Sequence, residues 1–190
     1  WDPLLMPASQ LVWRVDGWAW LGGLLALCVA AIDVLYHWDT AGWRTARRHA
    51  YHLLTLAAAL ILCSATNLLT LAVCWVLFEV TLFARNATHP RAVSAAAGAA
   101  GVLLIWLAVI TAGSDRAQAP MISAALLPLS RALLFLAVLW RVASYPLHFW
   151  FVAGEKPVGL TALADFLVPA VVGMVLLGRI YNPAAAAALQ

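Results

Sequence analysis

The chain has 190 residues, 65% of them hydrophobic and 10% charged, with a formal net charge of +3 and a mean hydropathy of +0.93. A soluble domain carries about 45–50% apolar and about 25% charged residues, so the composition excludes an ordinary soluble enzyme. The small positive charge sits in connecting segments with no aromatic-interleaved basic patch, which excludes a nucleic-acid partner. The apolar runs are long and Leu/Ala-rich rather than alternating segments of about ten residues. The fold class they predict is an all-α integral membrane protein.

Six membrane spans can be drawn, each near the roughly 20 residues that cross a hydrocarbon core. The first covers residues 17–37 and leads into a basic connector with Asp39, Arg44, Arg47, Arg48 and His49. The second covers 51–65 and turns through Ser64-Ala-Thr-Asn67 into the third, 68–84. A polar connector holding Arg85, His89, Pro90 and Arg91 precedes the fourth, 93–112. Gly113 to Pro120 is polar and bears Asp115 and Arg116. The fifth span, 124–151, contains Arg131 and Arg141 and meets Pro146. The sixth, 160–181, follows Gly154-Glu155-Lys156-Pro157 and contains Pro169. Proline removes a helical hydrogen bond, so breaks or kinks are expected at Pro146 and Pro169. Broken helices beside ionisable residues mark ion paths in transporters.

The connectors after spans one, three and five hold Arg44, Arg47, Arg48, Arg85, Arg91 and Lys156. The positive-inside rule puts them in the cytoplasm and both ends of this chain outside. Arg14, Arg116 and Arg179 then mark the outer side. Trp13, Trp18, Trp20, Trp38, Trp43 and Trp150 fall near span ends, where amphipathic rings settle. The expected location is a multi-pass position in a bacterial cytoplasmic membrane. The chain opens on Trp1 and has no secretory signal with a cleavage site, so a segment of a longer chain is expected.

Charges inside apolar runs are the functional signal, because a charge at bilayer depth costs about 2.5–3.5 kcal/mol on insertion scales. Glu79 lies in Val-Leu-Phe-Glu-Val-Thr-Leu-Phe and is the expected titrating group. Arg141 does not release its proton, so it acts as a fixed counter-charge. Asp165 lies early in the last span, where a pair with Arg141 is open to it. His148, seven residues after Arg141, completes the expected proton path of Glu79, Arg141, Asp165 and His148. Asp33 and His52 lie near span ends and read as interfacial residues. Arg131 is expected to snorkel outward. Cys28, Cys63 and Cys74 read as small apolar core residues, with no zinc spacing. There is no nucleophile–base pair, phosphate loop or metal-ligand cluster, so no catalytic residue, metal or cofactor is expected. The expected partners are the lipid bilayer, other membrane subunits, and protons or cations.

The order of these motifs resembles the antiporter-like membrane subunits of complex I (proton-translocating NADH–quinone oxidoreductase) and the related Mrp-type cation/proton antiporters. Val15-Asp16-Gly17 is similar to that family's Asp-Gly opening, and Arg48-His49-Ala50-Tyr51 to its next connector. Asn67-Leu68-Leu69 with Trp75 is similar to its Asn-Leu-Leu…Gly-Trp-Glu helix. Arg141-Val-Ala-Ser-Tyr-Pro-Leu-His-Phe-Trp150 resembles Lys-Ser-Ala-Gln-Phe-Pro-Leu-His-x-Trp, the most specific stretch. Thr161-Ala-Leu-Ala-Asp165 and Gly173-Met-Val-Leu-Leu-Gly-Arg179 resemble Ser-Ala-Leu-Ile-His and Gly-Val-Tyr-Leu-Leu-Ala-Arg.

The resemblance implies the third to eighth helices of that family, with one complete five-helix repeat. Val76 stands where the family has its glutamate, and Glu79 follows one helical turn later. Arg141 replaces its helix-breaking lysine, and Asp165 its next histidine. The implied function is a proton-translocating, or degenerate, antiporter-like subunit of a complex I-like assembly. Alternatives are the membrane subunit of a proton-driven inorganic-carbon uptake complex, and a non-translocating structural subunit.

Overall fold

The computed structural model describes residues 11–36, 43–86, 92–113, 116–117, 127–142 and 160–181. Among them are six α-helices: α1 (Gly17–Tyr36), α2 (Trp43–Cys63), α3 (Leu68–Asn86), α4 (Ala92–Ala112), α5 (Pro128–Arg141) and α6 (Leu160–Tyr181). The all-α expectation holds. Each helix packs on its neighbours in sequence, α6 closes the ring on α1, and α6 also reaches across to α2.

Local chemistry sets most of the observed ends. Asp16 caps α1 by accepting the Ala19 N–H at 2.8 Å. Asn67 caps α3 in the same way, accepting the Thr70 N–H at 2.7 Å. A side-chain oxygen there satisfies one of the donors that a helix start leaves without a partner. The turn before Asn67 is pinned by the chain ahead of α1. Arg14 N–H donates to the Ser64 carbonyl at 2.8 Å and Thr66 N–H to the Val12 carbonyl at 3.1 Å. These bonds flank a single antiparallel bridge between Trp13 and Ala65. Gly113, at φ 79°, ends α4 in the left-handed region that glycine tolerates best. Pro128 stands in the first turn of α5, where its missing N–H costs nothing.

Two boundaries and one proline depart from expectation. Helix α2 starts at Trp43, eight residues before its expected start at 51, so Arg44, Arg47, Arg48 and His49 are helical rather than a loop. Arginine and alanine are good helix formers, and only His49–Cys63 of this helix is apolar. Helix α5 ends at Arg141, five residues before Pro146, so Arg141 closes a helix instead of lying within one. Pro146 lies outside the described residues. Helix α6 continues through Pro169 without a break. The proline removes the bond to the Asp165 carbonyl one turn earlier, but Pro169 is buried and both flanking turns remain helical.

Alanines pack between large side chains in the interior, and many other large apolar side chains face out. Ala58, Ala59, Ala65, Ala72, Ala108 and Ala137 belong to the buried cluster around Trp75 and Phe78. Outside lie Trp20 at 65% exposure, Leu103 at 63%, and Leu35 and Ile110 at 70%. Close packing through small residues is how helices associate when the surrounding medium is itself apolar. Helices α1 and α4 are long and apolar enough to cross a membrane, over Gly17–Leu35 and Ala95–Ala112. Among the described residues, α2, α3 and α6 hold apolar stretches over His49–Cys63, Leu68–Ala84 and Leu167–Ile180.

Candidate functional site: buried charge pairs between helices

Glu79 lies on α3, one turn after Trp75. Its Oε1 is 3.2 Å from Nε of Arg141, with 13% and 7% of the two side chains exposed. The two atoms are close without hydrogen-bond alignment, so this contact is an ion pair. Helices α3 and α5 are not neighbours in the ring; α4 stands between them. The charges meet because α4 presents almost nothing there. A Cβ added to Gly98 would lie 2.7 Å from Glu79 Oε2, so the carboxylate rests against a bare α-carbon. One residue earlier, the Ala97 carbonyl accepts the Trp140 indole N–H at 2.9 Å, which holds α5 in place beside Arg141. The guanidinium carbon also lies 5.8 Å from the Phe78 ring centroid, a cation–π distance. Its position in the last turn of α5 favours a cation next to unpaired carbonyls.

The magnitudes assign this pair its character. At 3.2 Å two unit charges attract by about 5 kcal/mol at an effective dielectric of 20. Desolvation costs several kcal/mol per ion. The two terms nearly offset, so the pair adds little net stability. Removing one partner is different, since it leaves the other charge buried and alone. Glu79 is the member that can take up a proton, because Arg141 keeps its own. Protonating Glu79 therefore removes the negative charge 3.2 Å from the Arg141 guanidinium.

A second pair joins three elements where α1 begins and α6 ends. Arg179 Nη2 donates to Asp16 Oδ1 at 2.6 Å, and both side chains are 3% exposed. Arg179 Nη1 donates to the Ala65 carbonyl at 2.7 Å. The same Asp16 oxygen caps α1. One guanidinium thus ties the start of α1, the α2–α3 turn and the end of α6. Arg179 is a buried clamp, not the outer-side orientation charge expected from its position. The sequence held one sign of it: an Asp directly before an apolar helix is a capping residue, which leaves a carboxylate beside that helix for a cation to meet.

A third pair links α1 to α2. His52 Nδ1 is 3.5 Å from Asp33 Oδ2, with 10% and 2% of the side chains exposed. Both residues lie near the ends of the apolar stretches, as expected, and their side chains are turned between α1 and α2. Arg131 is exposed in the first turn of α5. Cys63 and Cys74 are buried, whereas Cys28 faces outward rather than into the core.

Of the expected proton path, Glu79 and Arg141 are brought together. Asp165 lies on α6, with its side chain outside the described residues, and His148 also lies outside them. Among the described residues no three His, Cys, Asp or Glu side chains gather as a metal site. No family model, curated protein or solved structure matches the chain.

Proposed function

We propose that the chain is a multi-pass membrane subunit that carries protons, with Glu79 as the group that binds and releases them. Arg141 acts as the fixed charge that governs how readily it does so. The motif resemblance to antiporter-like subunits of complex I motivates the reading and suggests neighbouring membrane subunits and a bacterial cytoplasmic membrane. The exterior supports a lipid environment. Only 28% of the apolar window in α1 and 33% of that in α4 is buried, the reverse of a core helix in a soluble protein. The observation that carries the reading is the Glu79–Arg141 contact at 3.2 Å across Gly98. An ionisable pair within apolar helices, facing the bundle interior, marks an ion pathway more often than packing.

The test is Glu79→Gln in the intact membrane assembly, read by proton movement into sealed vesicles and by recovery of the assembled complex. Translocation should fall severely while assembly survives. Unchanged translocation refutes the role. A second reading, a non-translocating subunit that orients its neighbours, is favoured by one observation: Arg141 already neutralises Glu79 and joins α3 to α5. It predicts that Glu79→Gln combined with Arg141→Met keeps both assembly and transport.

A further inference from the structure

We propose that the Trp75 indole N–H is a second hydrogen-bond station for the Glu79 carboxylate, which moves between Arg141 and Trp75 along a groove in α4. Trp75 is 1% exposed, and its Nε1 is buried with no hydrogen-bond partner among the described residues. A buried donor in that condition is uncommon, because it has given up water and gained no acceptor. The other indole facing this part of α4 is engaged: Trp140 Nε1 donates to the Ala97 carbonyl at 2.9 Å. Trp75 keeps its donor in reserve.

Both α3 side chains are aimed at one strip of α4. A Cβ on Gly98 would lie 2.7 Å from Glu79 Oε2, and a Cβ on Gly101 would lie 3.6 Å from Trp75 Nε1. Positions three apart share a helix face, with Cβ sites about 5–6 Å from each other. Neither glycine puts a side chain between the carboxylate and the indole N–H. Glu79 follows Trp75 by four residues, and helical side chains lean toward the N-terminal end of their helix. Rotation of the Glu79 side chain therefore carries its carboxylate toward Trp75. The carboxylate is not locked at its first station, since Oε1 lies 3.2 Å from Arg141 Nε without hydrogen-bond alignment. At the second, an N–H to a carboxylate is a charge-assisted bond. Indole only donates, so Trp75 is a positioning residue that holds Glu79 without accepting its proton. The two-station movement stands without transport; its effect on proton movement rests on the function proposed above.

The test is nuclear magnetic resonance of the full chain in lipid nanodiscs, with nitrogen-15 in the indoles and the Trp75 signal assigned through Trp75→Phe. Arg141→Met removes the first station, so the Trp75 indole proton should move downfield, as a hydrogen-bonded N–H does. Glu79→Gln should move it in the same direction, because the amide oxygen is no longer drawn to Arg141. The double variant Glu79→Leu with Arg141→Met offers no acceptor and should leave the signal at its wild-type position. The inference is overturned if Arg141→Met leaves the signal in place, or if the double variant shifts it as far. Should Arg141→Met fail to fold, Glu79→Gln decides by the same signal, and no shift overturns the inference. In sealed vesicles Trp75→Phe should lower proton movement several-fold. Wild-type movement in Trp75→Phe beside a loss in Glu79→Gln overturns the positioning role. If Glu79→Gln itself leaves proton movement unchanged, the proposed function fails, and the indole signal still decides whether the second station exists.

Discussion

The clamp at Arg179 offers the sharpest quantitative test, because its partners are fully defined. Replacing Arg179 with Met keeps an apolar stem of similar reach and removes the charge. Asp16, 3% exposed, is then an uncompensated buried carboxylate, and the Ala65 carbonyl loses its 2.7 Å donor. Breaking a buried pair in this way costs about 3–5 kcal/mol. In a chain of 190 residues that corresponds to a fall of roughly 6–20 °C in melting temperature, at about 2–4 °C per kcal/mol. Asp16→Asn alone should cost a similar amount, because Asn still caps α1 but the guanidinium is left buried and unpaired. The double variant carries neither charge. Its remaining loss is the unpaired Ala65 carbonyl, about 1–3 kcal/mol. The double-mutant cycle should therefore show a coupling of at least about 3 kcal/mol. Melting curves of the four proteins in one detergent or one nanodisc lipid measure it. Strictly additive losses, or single variants within about 1 kcal/mol of the wild type, would show that these groups reach solvent and that the three-element tie is not a stabilising contact.

Other consequences are cheaper to check. Gly98→Ala should leave melting unchanged or slightly higher, since alanine gains about 1 kcal/mol over glycine within a helix and the atom it meets ends a flexible side chain. It should nonetheless lower proton movement, because Glu79 Oε2 cannot stay 2.7 Å from a methyl carbon. Trp140→Phe removes the 2.9 Å bond to the Ala97 carbonyl and should cost about 1 kcal/mol in melting. Leu103→Lys, on the outward face of α4, should cost about 2.5–3.5 kcal/mol in a membrane-insertion assay if that face meets lipid; no penalty would argue that it meets water or protein.

Much of the bundle was legible before any coordinates. Runs of Leu and Ala bounded by polar turns located α1, α3, α4 and α6 to within about two residues at most ends, because apolar length and helix caps are local properties. The early start of α2 was hidden by its arginines, whose charge signals a connector even though their helix propensity is high. The end of α5 at Arg141 was hidden as well, because an apolar run continues past the point where the helix stops.

Partner choice was a different matter. That Glu79 and Arg141 were costly in apolar surroundings follows from composition alone. That they meet each other follows only from the bare face of α4 at Gly98, which lets side chains from two non-adjacent helices close the gap. Asp16 with Arg179, 163 residues apart, and Asp33 with His52 depend likewise on how the ring closes and on which faces turn inward. Sequence records where a charge lies along its own helix. The direction in which it points, and what waits there, are set by the packing of other helices against it.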